Sequence, residues 1–156
     1  MKIKKYVPEL LFILLALAVG GLSSIATNLG MPVYEQAVKP PLNPPAIVFP
    51  IVWTVLYILM GISARRIWKS SDPKRGCALA IYAVQLLCNG LWSVFFFGLH
   101  AYLFSFIWLL LLWVLIIVMI RTFYRIDHIA GLLQIPYLVW VSFAGYLNLA
   151  VWLLNR

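Results

Sequence analysis

The chain has 156 residues, of which 65% are hydrophobic and only 10% charged, and it carries a net charge of +8. A soluble fold of this size has too little polar surface to cover that much apolar side chain. The two cysteines, Cys77 and Cys88, form no CxxC pair and sit within one apolar run, so they point to buried small hydrophobes rather than to a disulfide or a metal site.

Five stretches contain no Asp, Glu, Lys or Arg: 10–29, 46–64, 77–99, 101–120 and 129–154. Each is about as long as the ~20 residues needed to cross a bilayer core. They predict an all-α polytopic membrane protein, a five-transmembrane-helix bundle forming one domain over 1–156. The helices are expected at about 8–29, 46–67, 77–98, 101–123 and 129–154. In the first, Ala16, Gly20 and Ser24 make a small-residue ridge suited to helix packing. The same segment, with Lys4-Lys5 before it and Ser24-Ile25-Ala26 after it, also has the outline of a signal peptide.

Residues 30–45 are expected to form a lid loop. Pro40, Pro41, Pro44 and Pro45 hold φ near −65° and lack an amide hydrogen, so this stretch is extended. Pro50 is tolerable because it falls in the first turn of the next helix. That helix carries Trp53 and Tyr57 on one side, directly beneath the lid.

Ten cations (Lys2, Lys4, Lys5, Arg65, Arg66, Lys69, Lys74, Arg75, Arg121 and Arg125) fall on one side of a five-span topology and two, Lys39 and Arg156, on the other. This asymmetry predicts a cell-membrane protein with a cytoplasmic N-terminus and an external lid. The net charge is then topology, with the lipid bilayer as partner and no nucleic acid.

In the third run Gln85, Cys88, Asn89, Trp92, Ser93 and Phe96 share one helix side. Amides normally face a bundle interior, where these two either tie helices together or line a cavity with the rings beside them. In the fifth run Pro136 predicts a kink near Ile135 to Tyr137. Beyond it Tyr137, Trp140, Ala144 and Leu147 or Asn148 line up, with Ala144 and Gly145 leaving a hollow opposite Trp53 and Trp140.

The segments KPPLNPP…FPIVWTVLYILMG, QLLCNGLWSVFFFG and PYLVWVSFAGYLN, in this order and spacing, resemble the translocator protein family, the tryptophan-rich sensory proteins or TspO/MBR family, over about Gly20 to Asn148. The resemblance implies a five-helix bundle whose first loop lids a cavity for tetrapyrroles. Protoporphyrin IX and some haem-type rings are the expected ligands, together with synthetic benzodiazepine or isoquinoline carboxamide compounds. It also implies a homodimer among the expected partners. By resemblance Tyr34, Pro44, Ile47, Trp53, Tyr57, Asn89, Trp92, Trp140, Ala144 and Asn148 bind the ligand.

Two departures stand out. Val33-Tyr34 replaces the Trp-Tyr of many members, and Tyr146 lies ten residues from Arg156, too far for the sterol-recognition pattern of animal members. The one formal match to that pattern, Leu29, Tyr34 and Lys39, crosses the lid, and such patterns are weak; cholesterol is a doubtful partner.

No Ser/His/Asp set, carboxylate pair or HExxH motif is present, the acids Glu9, Glu35, Asp72 and Asp127 lie at helix ends or in loops, and His100 and His128 fall on opposite faces. No metal site and no required cofactor are expected. The activity implied by resemblance is light- and oxygen-dependent breakdown of protoporphyrin IX, for which Trp53 and Trp140 are the candidate oxidisable neighbours. A receptor or stress regulator without turnover, and a small tetrapyrrole transporter, are the alternatives.

Overall fold

The computed structural model describes the chain from Ile3 to Arg156 and its side chains from Leu10 onward. Lys2, and the side chains of Lys4, Lys5 and Glu9, lie outside the described residues. Six helices make up the fold: α1 (Ile3–Gln36), α2 (Val48–Lys69), α3 (Arg75–Ser93), α4 (Tyr102–Ile126), α5 (His128–Leu132) and α6 (Ile135–Leu154). A π-helical turn, Val94–Gly98, extends α3. Five stretches of this helical chain are long and apolar enough to cross a membrane: Leu10–Gln36, Val48–Lys69, Arg75–Gly98, Tyr102–Ile126 and His128–Leu154. Leu11, Leu22, Leu29, Leu87, Ile107 and Val139 all point outward and are more than half exposed, which suits hydrocarbon as solvent and not water. The protein is a multi-pass membrane protein.

The helices close a ring in which α1 lies between α2 and α3, α4 between α3 and α6, and α5 returns to α2. Alternating directions gather Arg66, Lys69, Arg75, Arg121 and Arg125 at one end, the basic end, and put Lys39 and Arg156 at the other, the lid end. At the basic end Arg66 pairs with Asp127 through two bonds, Nε to Oδ1 at 3.1 Å and Nη2 to Oδ2 at 2.8 Å. Asp127 also caps α5, accepting the Ala130 amide at 2.9 Å. Burial pushes its carboxyl upward, but the Arg66 and Ala130 hydrogen bonds outweigh this and hold it below the ordinary carboxylate range.

Three boundaries differ from those expected. The first helix does not end at 29: it runs on through Pro32, Tyr34 and Glu35 to Gln36, so the lid is 37–47 and not 30–45. Pro32 costs α1 one hydrogen bond, to the Asn28 carbonyl, and the chain leaves the helix only before the Lys39-Pro40-Pro41 block. Gly30 does not break α1 either. Its missing Cβ makes room for the Phe97 carbonyl, which any side chain there would strike. The fifth run is two helices, broken at Leu133-Gln134. Pro136 therefore starts α6, as its second residue, instead of kinking one long helix. His128, expected in a loop, opens α5.

Cys88 is buried as expected, but Cys77 is exposed in the first turn of α3. Pro50 sits in the first turn of α2, where its absent amide hydrogen costs nothing.

Candidate functional site: a lidded aromatic cavity

At the basic end α1 and α2 touch backbone to backbone. A Cβ on Gly61 would lie 2.5 Å from the Ile13 Cα, and two turns higher a Cβ on Gly20 would lie 2.5 Å from the Tyr57 ring. Above that level a cavity of about 1000 Å³ opens between α1, α2, α3 and α6 beneath the lid. This is the upper end of the ~300–1,000 Å³ range of small-molecule sites.

Its walls are aromatic. Trp53 stacks on Tyr57 at 5.6 Å and meets Tyr137 edge-on at 6.2 Å. Trp140 lies 5.9 Å from Phe49. Trp92 stacks on Phe96 at 5.2 Å and meets Phe97 edge-on at 6.1 Å. Ala144, with no bulk of its own, widens the space beside Trp140.

The floor is polar and is built on a hydrogen-bonded chain. Tyr57 donates to Asn89 Oδ1 at 2.6 Å, Asn89 Nδ2 donates to the Tyr137 hydroxyl at 2.8 Å, and that hydroxyl donates to Gln85 Oε1 at 2.9 Å. Asn89 thus lines the cavity and ties α2, α3 and α6 together, so the two roles weighed for it in the sequence are held by one side chain. Its amide atoms are both engaged, which fixes its orientation at the floor.

The lid is held at its start and in its middle. Tyr34, at the close of α1 and not within the lid loop, donates to Asn43 Oδ1 at 3.0 Å. Val38 donates its amide to Asn155 Oδ1 and accepts from Asn155 Nδ2, both at 2.9 Å, so the last turn of α6 grips the lid's first residues. Lys39 stands at the mouth, donating to the Glu35 carbonyl at 3.0 Å, with its ammonium 5.2 Å from the Tyr34 ring centre.

Of the ten residues named from the sequence, Tyr34, Pro44, Ile47, Trp53, Tyr57, Asn89, Trp92, Trp140 and Ala144 border this one cavity. Asn148 does not. It is fully buried behind the wall, where its carbonyl accepts from Trp92 Nε1 and Ser105 Oγ, each at 3.1 Å, and its amide donates to the Tyr102 carbonyl at 2.8 Å. It orients Trp92. Gly145 likewise faces α4, against Leu109, and contributes no hollow.

Sequence reasoning missed the α1 wall: Ser23, Ser24, Thr27, Asn28 and Met31 border the cavity, as do Phe49 and Phe97. The signal was there, since Ser23/Thr27 and Ser24/Asn28 are two i,i+4 polar pairs in an apolar run, the same kind of stripe read in α3. Ser24 had been placed in a packing ridge, but that ridge packs only at Ala16 and Gly20. Among the described residues no group of three His, Cys, Asp or Glu side chains is placed to hold a metal ion, and no His or Cys borders the cavity.

A five-span ring, a proline-rich lid after the first span and a tryptophan-walled cavity beneath it coincide with a sequence model described as the TspO/MBR family, which matches residues 12–153. The chain belongs to the TspO/MBR family. It is 41% identical over 126 residues to the tryptophan-rich protein TspO of Chlorobaculum tepidum, covering 78% of each chain. It is 36% identical over 144 residues to the TspO of Archaeoglobus fulgidus, covering 92% of this chain and 94% of that one. The translocator protein of Bos taurus is 32% identical over 126 residues, covering 79% and 75%. Bacterial, archaeal and animal members of the family therefore align with most of this chain.

Proposed function

We propose that this TspO/MBR protein binds a tetrapyrrole, protoporphyrin IX above all, in the cavity under the lid. The observation that carries this is the cavity wall: Trp53, Trp92 and Trp140 with Tyr34, Phe49 and Phe97 enclose about 1000 Å³, a volume and surface suited to a broad flat ring. No His or Cys stands among the described bordering residues, and a metal-free ring needs no axial ligand. Lys39, the one basic residue on the wall among the described residues, stands where a ring's carboxylate substituents would reach the mouth. The same space would take synthetic benzodiazepine-type or isoquinoline carboxamide ligands.

The reading extends to light- and oxygen-dependent breakdown of the bound ring. An illuminated free-base porphyrin is itself the photochemical reagent, so the protein need only fix it beside an oxidisable indole. Trp53 and Trp140 supply indoles on the wall. In Trp53→Phe and Trp140→Phe, dark titration with protoporphyrin IX is expected to stay within about tenfold of the parent, roughly 1.4 kcal/mol, while bleaching under light slows sharply. Equal bleaching by parent, variants and free porphyrin in micelles would reduce the function to a receptor. Loss of the dark complex in the parent would remove the tetrapyrrole reading altogether.

The ten-to-two charge split supports an external lid and a cytoplasmic N-terminus in the cell membrane. In a background lacking Cys77 and Cys88, an impermeant thiol reagent on intact cells is expected to label a cysteine at position 39 and not one at position 70. The reverse pattern would invert the orientation.

A further inference from the structure

One turn toward the basic end from the cavity floor, three buried polar side chains are left with unmet hydrogen-bonding groups. Gln85 Nε2, the Tyr82 hydroxyl and both amide atoms of Gln134 have no partner and no solvent exposure. Residues Gln85 and Gln134 are 0% exposed and Tyr82 is 2% exposed. Buried polar groups in native proteins are paired with protein or with ordered water in the great majority of cases, so unmet groups on these three side chains require an explanation.

Their placement is set by helix register. Tyr82 lies three residues before Gln85 on α3, and Gln134 lies three residues before Tyr137 at the start of α6, an axial step of about 4.5 Å in each case. Both helices run from the basic end to the lid end. The hydrogen bond between Tyr137 and Gln85 sets the two helices level with each other. Tyr82 and Gln134 therefore share the layer just below that bond. The backbones of α3 and α6 do not pack closely.

The chain above this layer has one direction. Tyr57 donates to Asn89, Asn89 to Tyr137 and Tyr137 to Gln85, so every proton points away from the cavity. The last donor, Gln85 Nε2, has nothing to receive it. A buried water needs two to four polar partners and room for one probe sphere. Here it would accept from Gln85, accept from or donate to the Tyr82 hydroxyl, and bond either atom of the Gln134 amide.

We propose that Tyr82, Gln85 and Gln134 form an internal hydration site that holds one or more water molecules beneath the cavity and terminates the Tyr57–Asn89–Tyr137–Gln85 chain. The water gives the last donor of the chain, Gln85 Nε2, an acceptor. None of the three residues borders the cavity, so the site is independent of which ligand the cavity takes.

The test uses the full chain without ligand in lipid nanodiscs or a lipidic crystal. A high-resolution map is expected to show water density within hydrogen-bond reach of Gln85 Nε2 and of Tyr82 or Gln134; a dry layer would overturn the proposal. Thermal melting of Tyr82→Phe gives an independent sign. If water is held, deleting the hydroxyl removes one of its partners and the melting temperature falls. If the layer is dry, deleting an unpaired buried hydroxyl leaves stability unchanged or raises it, and the proposal fails. Gln134→Leu is expected to fall in the same direction as Tyr82→Phe; should it not fold, the map decides.

Discussion

The two ends of this bundle solve the same packing problem with opposite residue sizes. Toward the basic end α1, α2, α3 and α5 meet through Ala16, Gly61, Ser63, Ala64, Ala78 and Ala130, every one of them buried. Small side chains let backbones approach closely, which is how helices associate where lipid removes the hydrophobic drive between them. Toward the lid end the corresponding positions carry Tyr57, Trp53, Trp92, Phe97 and Trp140, which hold the helices apart and leave a cavity between them. The cavity is thus a consequence of where the small residues stop. The lid then closes a space that the helices cannot.

The Tyr57–Asn89–Tyr137–Gln85 chain is the seam between these halves, and cutting it is expected to have the largest effect. Asn89→Leu takes the acceptor from the Tyr57 hydroxyl, at about 1–3 kcal/mol for the unpaired group, and takes a donor from the Tyr137 hydroxyl, which keeps its bond to Gln85. Both thermal stability and protoporphyrin IX affinity should drop, read by melting and by dark titration on the same sample. A drop in stability with affinity unchanged would mean that the floor is built for packing alone.

Filling the tight contact probes the closed half by itself. Gly61→Ala places a methyl 2.5 Å from the Ile13 Cα and 2.8 Å from the Ile13 nitrogen, and backbone cannot move aside as a side-chain tip can. Overpacking of this kind costs about 1–3 kcal/mol. If the halves are independent, melting falls while affinity in the surviving folded protein stays near the parent value. A parallel loss of affinity would show that the α1–α2 crossing sets the cavity's width.

The smallest effect is expected at the far basic end. The Arg66–Asp127 pair is partly solvated, with side chains 38% and 23% exposed, so it is worth no more than about 1 kcal/mol. Because the Asp127 carboxyl is held below its unfolded range, its contribution is present above the unfolded value of about 3.9. It is lost as pH falls through the lowered folded value. Melting of the parent should show this loss only below about pH 4, and Asp127→Asn, which keeps an acceptor for the α5 cap, should lack it. A parent whose stability already falls between pH 7 and pH 5 would point to another titrating group.

The chain's own pattern determined a good deal. Five charge-free runs of bilayer length are a one-dimensional property, as is the ten-to-two sorting of cations, and both survive any rearrangement of the helices. Trp53, Tyr57, Asn89, Trp92, Trp140 and Ala144, which border the cavity from α2, α3 and α6, were legible too, since rings and amides at helical spacing on one side of an apolar helix have few other uses; Phe49 was not. Where α1 ended was not legible, because Gly30 and Pro32 are breakers by composition and yet α1 runs through both to Gln36. Gly30 reads as a weak point in the sequence, yet it is the place where the Phe97 carbonyl fits. Asn148 and Asn89 show the same limit from the other side: both are amides on an aromatic helix face. Only the position of Trp92, Ser105 and the Tyr102 carbonyl turned Asn148 away from the cavity, while Tyr57 and Tyr137 held Asn89 at its floor. Helical periodicity decides which side of a helix a residue occupies. What that side faces is decided by the neighbouring helices, through contacts between residues tens of positions apart.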